Sequence, residues 1–245
     1  MNFGISIEKN KFKRYIMCEG MSDLAFISLY LEEKMRYKFD KNKTDNNGLD
    51  GGKTHIYYYS NDNSELVICS AGGCEKMKDV FEKYLEPLIM RSRNEECPKF
   101  VIIKDSDKNG AAGKTAEINY GFLKFCSDKW TSNTFKNAFS EKIECQTFLR
   151  IVPLGEDGAF EDLLLKFFKE KEPEITDSVN AYFSDMSDDV KKYILKRRLE
   201  IKSKLNCVLN LIDPESTFKT MSDAFRRIDI DNENIKKNYS FLCEL

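Results

Sequence analysis

Residues 100–107 read Phe-Val-Ile-Ile-Lys-Asp-Ser-Asp, and this stretch sets the fold class. Four consecutive apolar residues without alternation suit a central parallel strand covered on both faces. The run stops at Lys104, and Asp105-Ser106-Asp107 then places two carboxylates two residues apart where the strand ends. A second copy of this pattern lies upstream. Lys13-Arg14-Tyr15-Ile16-Met17-Cys18 leads into Glu19-Gly20, and helical spacing follows at Ala25, Phe26, Leu29, Tyr30 and Glu33, with Ser22 as the expected N-cap. Strand, tight turn and helix form the opening of an α/β unit.

The rest of the chain fills in around these two runs. Residues 40–54 are rich in Asn, Asp and Gly and read as a loop. Tyr57-Tyr58-Tyr59 and Glu65-Leu66-Val67-Ile68-Cys69 read as strands, the second ending at Gly72-Gly73. Met77, Val80, Phe81, Tyr84, Leu85 and Leu88 predict an amphipathic helix from Glu75 to Arg91, kinked or shortened at Pro87. A helix is predicted near Thr115 to Ser127, a strand from Thr147 to Val152, and a helix opening at Phe160-Glu161-Asp162. From Pro173 onward the pattern is helical. It carries the cationic stretch Lys191 to Arg198, breaks at Asp213-Pro214, and resumes around Phe218 to Phe225 and Glu233 to Leu242. The expected organisation is an α/β domain over residues 1–172, with a mainly parallel sheet flanked by helices. A helical C-terminal extension over 173–245 packs on or beside it.

Composition narrows the function classes. The chain has 245 residues, 41% of them hydrophobic, which suffices for a sizeable core. Thirty-nine Lys and Arg against 41 Asp and Glu leave a net charge of −2, so no global basic field points to nucleic acid, although a segregated basic face is compatible with these counts. The eight cysteines include no CxxC pair and match no zinc spacing, and they read as small buried hydrophobes of a reducing compartment. The polar N-terminus lacks a signal-peptide core, and no apolar run approaches a membrane span, so a cytoplasmic location is expected. His55, the one histidine, reads as a packing or surface residue. Gly110-Ala111-Ala112-Gly113-Lys114-Thr115 ends in Gly-Lys-Thr, but its first glycine stands too close for a nucleotide-binding P-loop.

The chemistry rests with the acids. Glu19 and the pair Asp105 and Asp107 fall at the carboxyl ends of strands, where open α/β sheets bind ligands. Magnesium prefers oxygen ligands and is commonly held by one or two carboxylates together with water and phosphate. Glu19 beside such a centre is suited to acid–base work on a phosphodiester. The acids at Glu161 and Asp162 also fit the electrostatic preference of a helix first turn.

Taken together, Glu19-Gly20, Ser22-Asp23 and Asp105-Ser106-Asp107 after Val101-Ile102-Ile103 resemble the Toprim signature. That domain is shared by topoisomerases, bacterial primases and overcoming-lysogenization-defect (OLD) nucleases. Gly72-Gly73 also sits where Toprim proteins turn after their second strand, and the resemblance covers roughly residues 13–170. It is nearest to small stand-alone Toprim-like proteins grouped with the OLD nucleases, in which an acidic pair opens a later helix, matched here by Glu161-Asp162. The resemblance implies a magnesium-dependent phosphoryl-transfer site, with manganese as substitute. Glu19 would be the acid–base group and, with Asp105 and Asp107, a catalytic metal ligand, and Glu161 and Asp162 a second metal-binding acidic arm. The expected activity is nuclease action on DNA or RNA. The other expectation is a non-catalytic or partner-dependent binding module, in a host-defence system or as a homo-oligomer. A primase-like activity is disfavoured because the chain lacks the zinc-binding and polymerase segments. Lys196, Arg197, Lys202 and Lys204, interleaved with Tyr193, Leu199, Ile201 and Leu205, are the candidate contacts to a nucleic-acid backbone; a solvated helix face is the other reading of the same residues.

Overall fold

The computed structural model describes residues 11–44, 48–49, 51–106, 117–194, 197–214 and 225–245. Asp107, the 108–115 loop, Lys196 and most of the helix expected at 218–225 lie outside these residues, as does the side chain of Arg197.

The apolar runs become the centre of a seven-stranded mixed sheet of order β2-β3-β4-β1-β5-β9-β8. Strands β1 (Phe12–Cys18), β4 (Ser64–Ser70), β5 (Lys99–Asp105) and β9 (Lys142–Val152) are mutually parallel, with β1 between β4 and β5. The edges are antiparallel: β2 (Lys38–Phe39) and β3 (His55–Ser60) on one side, β8 (Thr131–Lys136) on the other. The register aligns Cys18 with Ser70 and Ile103, and Asp105 with Val152. All four parallel strands therefore end along one edge, which is where Glu19 and Asp105 sit.

Period-two alternation sorts the central strands onto two cores. Ile16, Cys18, Ile68, Val101 and Ile103 face one hydrophobic cluster, and Tyr15, Met17, Cys69, Phe100 and Ile102 face the other. The first cluster lies under α1 (Met21–Met35) and α4 (Phe160–Lys171). It continues into α5 (Pro173–Asp185), α7 (Arg197–Ile212) and α8 (Glu233–Tyr239), so the C-terminal helices pack against the same sheet face as α1. A short α6 (Asp188–Lys191) ends inside the cationic stretch. The second cluster is covered by a helical segment containing α2 (Met77–Val80) and α3 (Glu86–Ile89). Between them Phe81–Leu85 forms a π turn, just before Pro87. Proline there has no N–H to donate back, and a widened turn is one way the backbone accommodates that loss.

One element differs in kind from the sequence reading. Where a helix was expected near 115–127, residues 117–126 form a hairpin of β6 (Glu117–Tyr120) and β7 (Leu123–Cys126). Tyr120 pairs with Leu123 across Gly121-Phe122, and Gly121 has φ +53. Two-residue hairpin turns favour glycine at such a position. The alternation Leu123-Lys124-Phe125 buries Leu123 and Phe125 in the second core, which outweighs any helical preference. Edge strand β8 also went unanticipated: in its polar sequence Thr-Ser-Asn-Thr-Phe-Lys, only Phe135 is buried.

Gly72 locks the turn after β4. Its φ is +75, and an added Cβ would lie 2.4 Å from the Lys53 carbonyl oxygen. Gly72→Ala is expected to destabilise the protein by about 1–3 kcal/mol through backbone strain and displacement of the 51–54 turn. Chemical denaturation checks this; an unchanged midpoint would show that the turn yields freely.

Candidate functional site

Four carboxyl groups converge at the strand-end edge. Glu19 follows β1 and is only 2% exposed. Its backbone oxygen accepts from Gly73 N at 2.9 Å, and its Oε1 accepts from Asp105 N at 3.1 Å. One residue thereby ties the ends of β1 and β5 and the turn after β4. Asp105 Oδ1 in turn accepts from Phe160 N at 3.0 Å, in the first turn of α4. Asp23 Oδ2 accepts from Gly20 N at 3.0 Å. Helix α1 thus begins at Met21 with Gly20 as its N-cap, two residues earlier than the Ser22 cap expected from sequence. Two helix N-termini, with their partial positive charge, abut the same acidic edge.

Burial and mutual repulsion set the protonation of this cluster. Desolvation first, then the charges of Glu161 and Glu19, push the Asp23 carboxyl up to about 7. Desolvation, Asp23 and Glu19 push Asp105 up to about 9, against the stabilising bond from Phe160 N. Buried acids that repel one another have perturbed carboxyls, and such groups gather at functional sites. Among the described residues, few cations lie nearby. Lys202 on α7 approaches Glu161 Oε1 at 3.2 Å. Lys104 is half-buried on the other sheet face; burial lowers its pKa, but Cys74, Tyr120 and Glu19 together outweigh that and leave it raised. Lys204 is engaged elsewhere, 2.6 Å from Glu200 on its own helix and over the Phe183 ring.

The two acids at the start of α4 separate in role. Glu161 is 5% exposed and faces the cluster. Asp162 turns back, its Oδ2 accepting from Ala159 N at 2.8 Å, as a capping arm does. Asp23, which the sequence reading left out of the site residues although it belongs to the Ser22-Asp23 pair of the Toprim-like pattern, joins the cluster.

The donor chemistry of the buried carboxyl groups suits a hard divalent cation. Among the described residues, however, no group of three or more His, Cys, Asp or Glu is close enough to hold a metal ion. Glu19, Asp23 and Asp105 each direct an oxygen onto a backbone N–H instead, and Asp107 lies outside the described residues.

No family model and no curated protein matches the sequence. Among solved structures, the chain is similar to a hypothetical protein from Pyrococcus horikoshii, at 16% identity and a TM-score of 0.42, over 87% of this chain and 95% of that one. Among the described residues no helix is long and apolar enough to cross a membrane.

A pH dependence follows from the raised acids. The folded protein keeps protons on Asp23 and Asp105 at pH values where the unfolded chain, with ordinary values near 3.8, has lost them. Stability from these groups is therefore fully present below about pH 4 and is lost as pH rises through about 7 and about 9. Melting temperatures in EDTA are expected to fall between about pH 5 and about pH 9, and less steeply in Asp105→Asn. A flat profile in the wild type would contradict the repulsion.

Proposed function

We propose that the chain is a magnesium-dependent phosphodiester-processing enzyme, a nuclease acting on DNA or RNA through its strand-end acids. The observation that carries this reading is one buried, mutually repelling set: Glu19 and Asp105 at the ends of adjacent parallel strands, with Asp23 and Glu161 in the first turns of α1 and α4. A purely structural set of helix caps would gain nothing from sharing one desolvated edge. The resemblance of Glu19-Gly20 and Asp105-Ser106-Asp107 to the Toprim signature supports the same chemistry.

In this reading Asp105, Asp107 and Glu161 would hold the cation, with Asp23 as a further oxygen donor. Magnesium, or manganese in its place, supplies charge neutralisation and polarises the phosphoryl oxygens when bound. Glu19 moves a proton at its carboxylate, accepting it from the attacking water or returning it to the leaving oxygen. Its bond to Asp105 N fixes the carboxylate's position for that task. Lys202, beside Glu161, would pair with a substrate phosphate. A cytoplasmic location goes with this activity.

The bonds from backbone N–H groups to three of the acids favour a second reading, in which the site is inactive until a protein partner or a second copy rearranges it. One experiment separates the two. Purified protein is incubated with plasmid, single-stranded DNA and RNA, with magnesium or manganese. Cleavage by the wild type that is lost in Glu19→Gln supports the enzyme. Metal binding without cleavage supports the partner-dependent module. Wild-type and Glu19→Gln proteins that behave alike in every assay would defeat the catalytic claim.

A further inference from the structure

A cavity of about 120 Å³ opens beside the acidic cluster, between the first turns of α1 and α4 and one face of α7. Its apolar wall is Leu205, Leu209 and Phe225, all buried. Its polar rim is Ser22, Lys202 and Asn206, and Glu161 is the residue it shares with the cluster. Residues 202, 205, 206 and 209 lie at i, i+3, i+4 and i+7, so a single face of α7 presents one amide, one ammonium and two leucines.

We propose that this cavity seats an unpaired pyrimidine base next to the phosphodiester held at the acidic cluster. The inference rests on the phosphodiester reading and adds a substrate class to it. Any nucleic-acid strand whose phosphate lies at Glu161 carries a base one sugar away, and this cavity adjoins that carboxylate. The wall offers flat apolar contact, and Asn206 carries both a donor and an acceptor for the edge of a base. Size selects the ring. A cavity of about 150 Å³ accepts a benzene-sized ring, so the space here suits one six-membered ring and not the fused pair of a purine. A base can enter only outside a duplex stack, which makes single strands, loops or ends the substrate. Lys202 at the rim is placed for the phosphate of the same nucleotide.

The test separates the pocket from the catalytic reading by measuring binding apart from cleavage. The Asp105→Asn protein, in magnesium, is titrated against labelled strands of abasic sites carrying one thymine or one adenine. The abasic background removes self-stacking of the strand. The expected result is about tenfold tighter binding of the thymine strand. That preference is expected to vanish in Leu209→Trp, which fills the cavity, and to shrink in Asn206→Ala, a substitution at an exposed position that leaves the core intact. Equal affinity for the two strands, or a preference that persists in both variants, overturns the pocket. Wild-type cleavage with no pyrimidine preference also overturns it while leaving the nuclease reading in place. A thymine preference without any cleavage supports the pocket and counts against the nuclease.

Discussion

Asp105→Asn is expected to do two opposite things: raise the melting temperature of the metal-free protein and abolish metal-dependent cleavage. The asparagine keeps an oxygen to accept from Phe160 N, so the tie between β5 and α4 survives. It removes the need to keep a proton, or above about pH 9 to bear a charge, at an edge where Asp23 and Glu19 disfavour the carboxylate. Relief of about 1 kcal/mol in a chain of this size raises the melting temperature by about 2–4 °C. The loss of a ligand to the cation is expected to cost several kcal/mol of transition-state stabilisation, roughly a thousandfold in rate. Melting curves in EDTA and cleavage rates in magnesium read the two effects separately. A residue that only capped α4 would behave otherwise, because asparagine and aspartate are near-equal caps. Unchanged stability together with unchanged rate would therefore return Asp105 to that plain role.

The largest loss of stability is expected from Phe26→Ala. Phe26 lies fully buried on α1, and its ring meets those of Tyr239 at 4.9 Å, Phe160 at 5.1 Å, Phe225 at 6.2 Å and Tyr30 at 6.5 Å. Three segments distant in sequence are joined through this one side chain. Removing it costs about 3–5 kcal/mol by lost burial and the cavity left behind, which lowers the melting temperature by roughly 6–20 °C. Phe160 N is the donor to Asp105, so loosening the Phe26–Phe160 contact is also expected to weaken metal affinity. Phe139, 60% exposed, supplies the control: Phe139→Ala is expected to stay within about 0.5 kcal/mol of wild type. Equal losses in the two variants, read by denaturant midpoints, would contradict the aromatic junction.

The legible parts of this molecule were those where one residue pattern admits one environment. Val101-Ile102-Ile103 and Tyr15-Ile16-Met17 have no polar face, so they had to be strands with both sides covered, and their polar ends had to mark the edge carrying Glu19 and Asp105. The segment at 117–126 was ambiguous, because Ile118, Tyr120, Phe122, Leu123 and Phe125 satisfy a helical stripe as readily as a hairpin. Gly121 was the signal that decides it. The polar strand β8 was illegible because an edge strand has one short buried side and pairs through its backbone, which the sequence does not encode. At the site, sequence placed Glu19 and Asp105 correctly on strand ends. It treated Glu161 and Asp162 as a pair, whereas the helix turns one inward and uses the other as its cap. Asp23 does stabilise the start of its helix, through a local bond from Gly20 N; its burial among the other acids is a tertiary fact that no sequence spacing shows.

The central claim is that the strand-end acids form a divalent-cation centre. The most direct measurement is a crystal soaked with manganese and examined for anomalous scattering. The claim predicts a peak bounded by Asp105 and Glu161, with carboxylate oxygens at roughly the 2.0–2.2 Å expected for such a cation. No peak at this edge under saturating manganese, with Glu19 still bonded to Asp105 N, would contradict it.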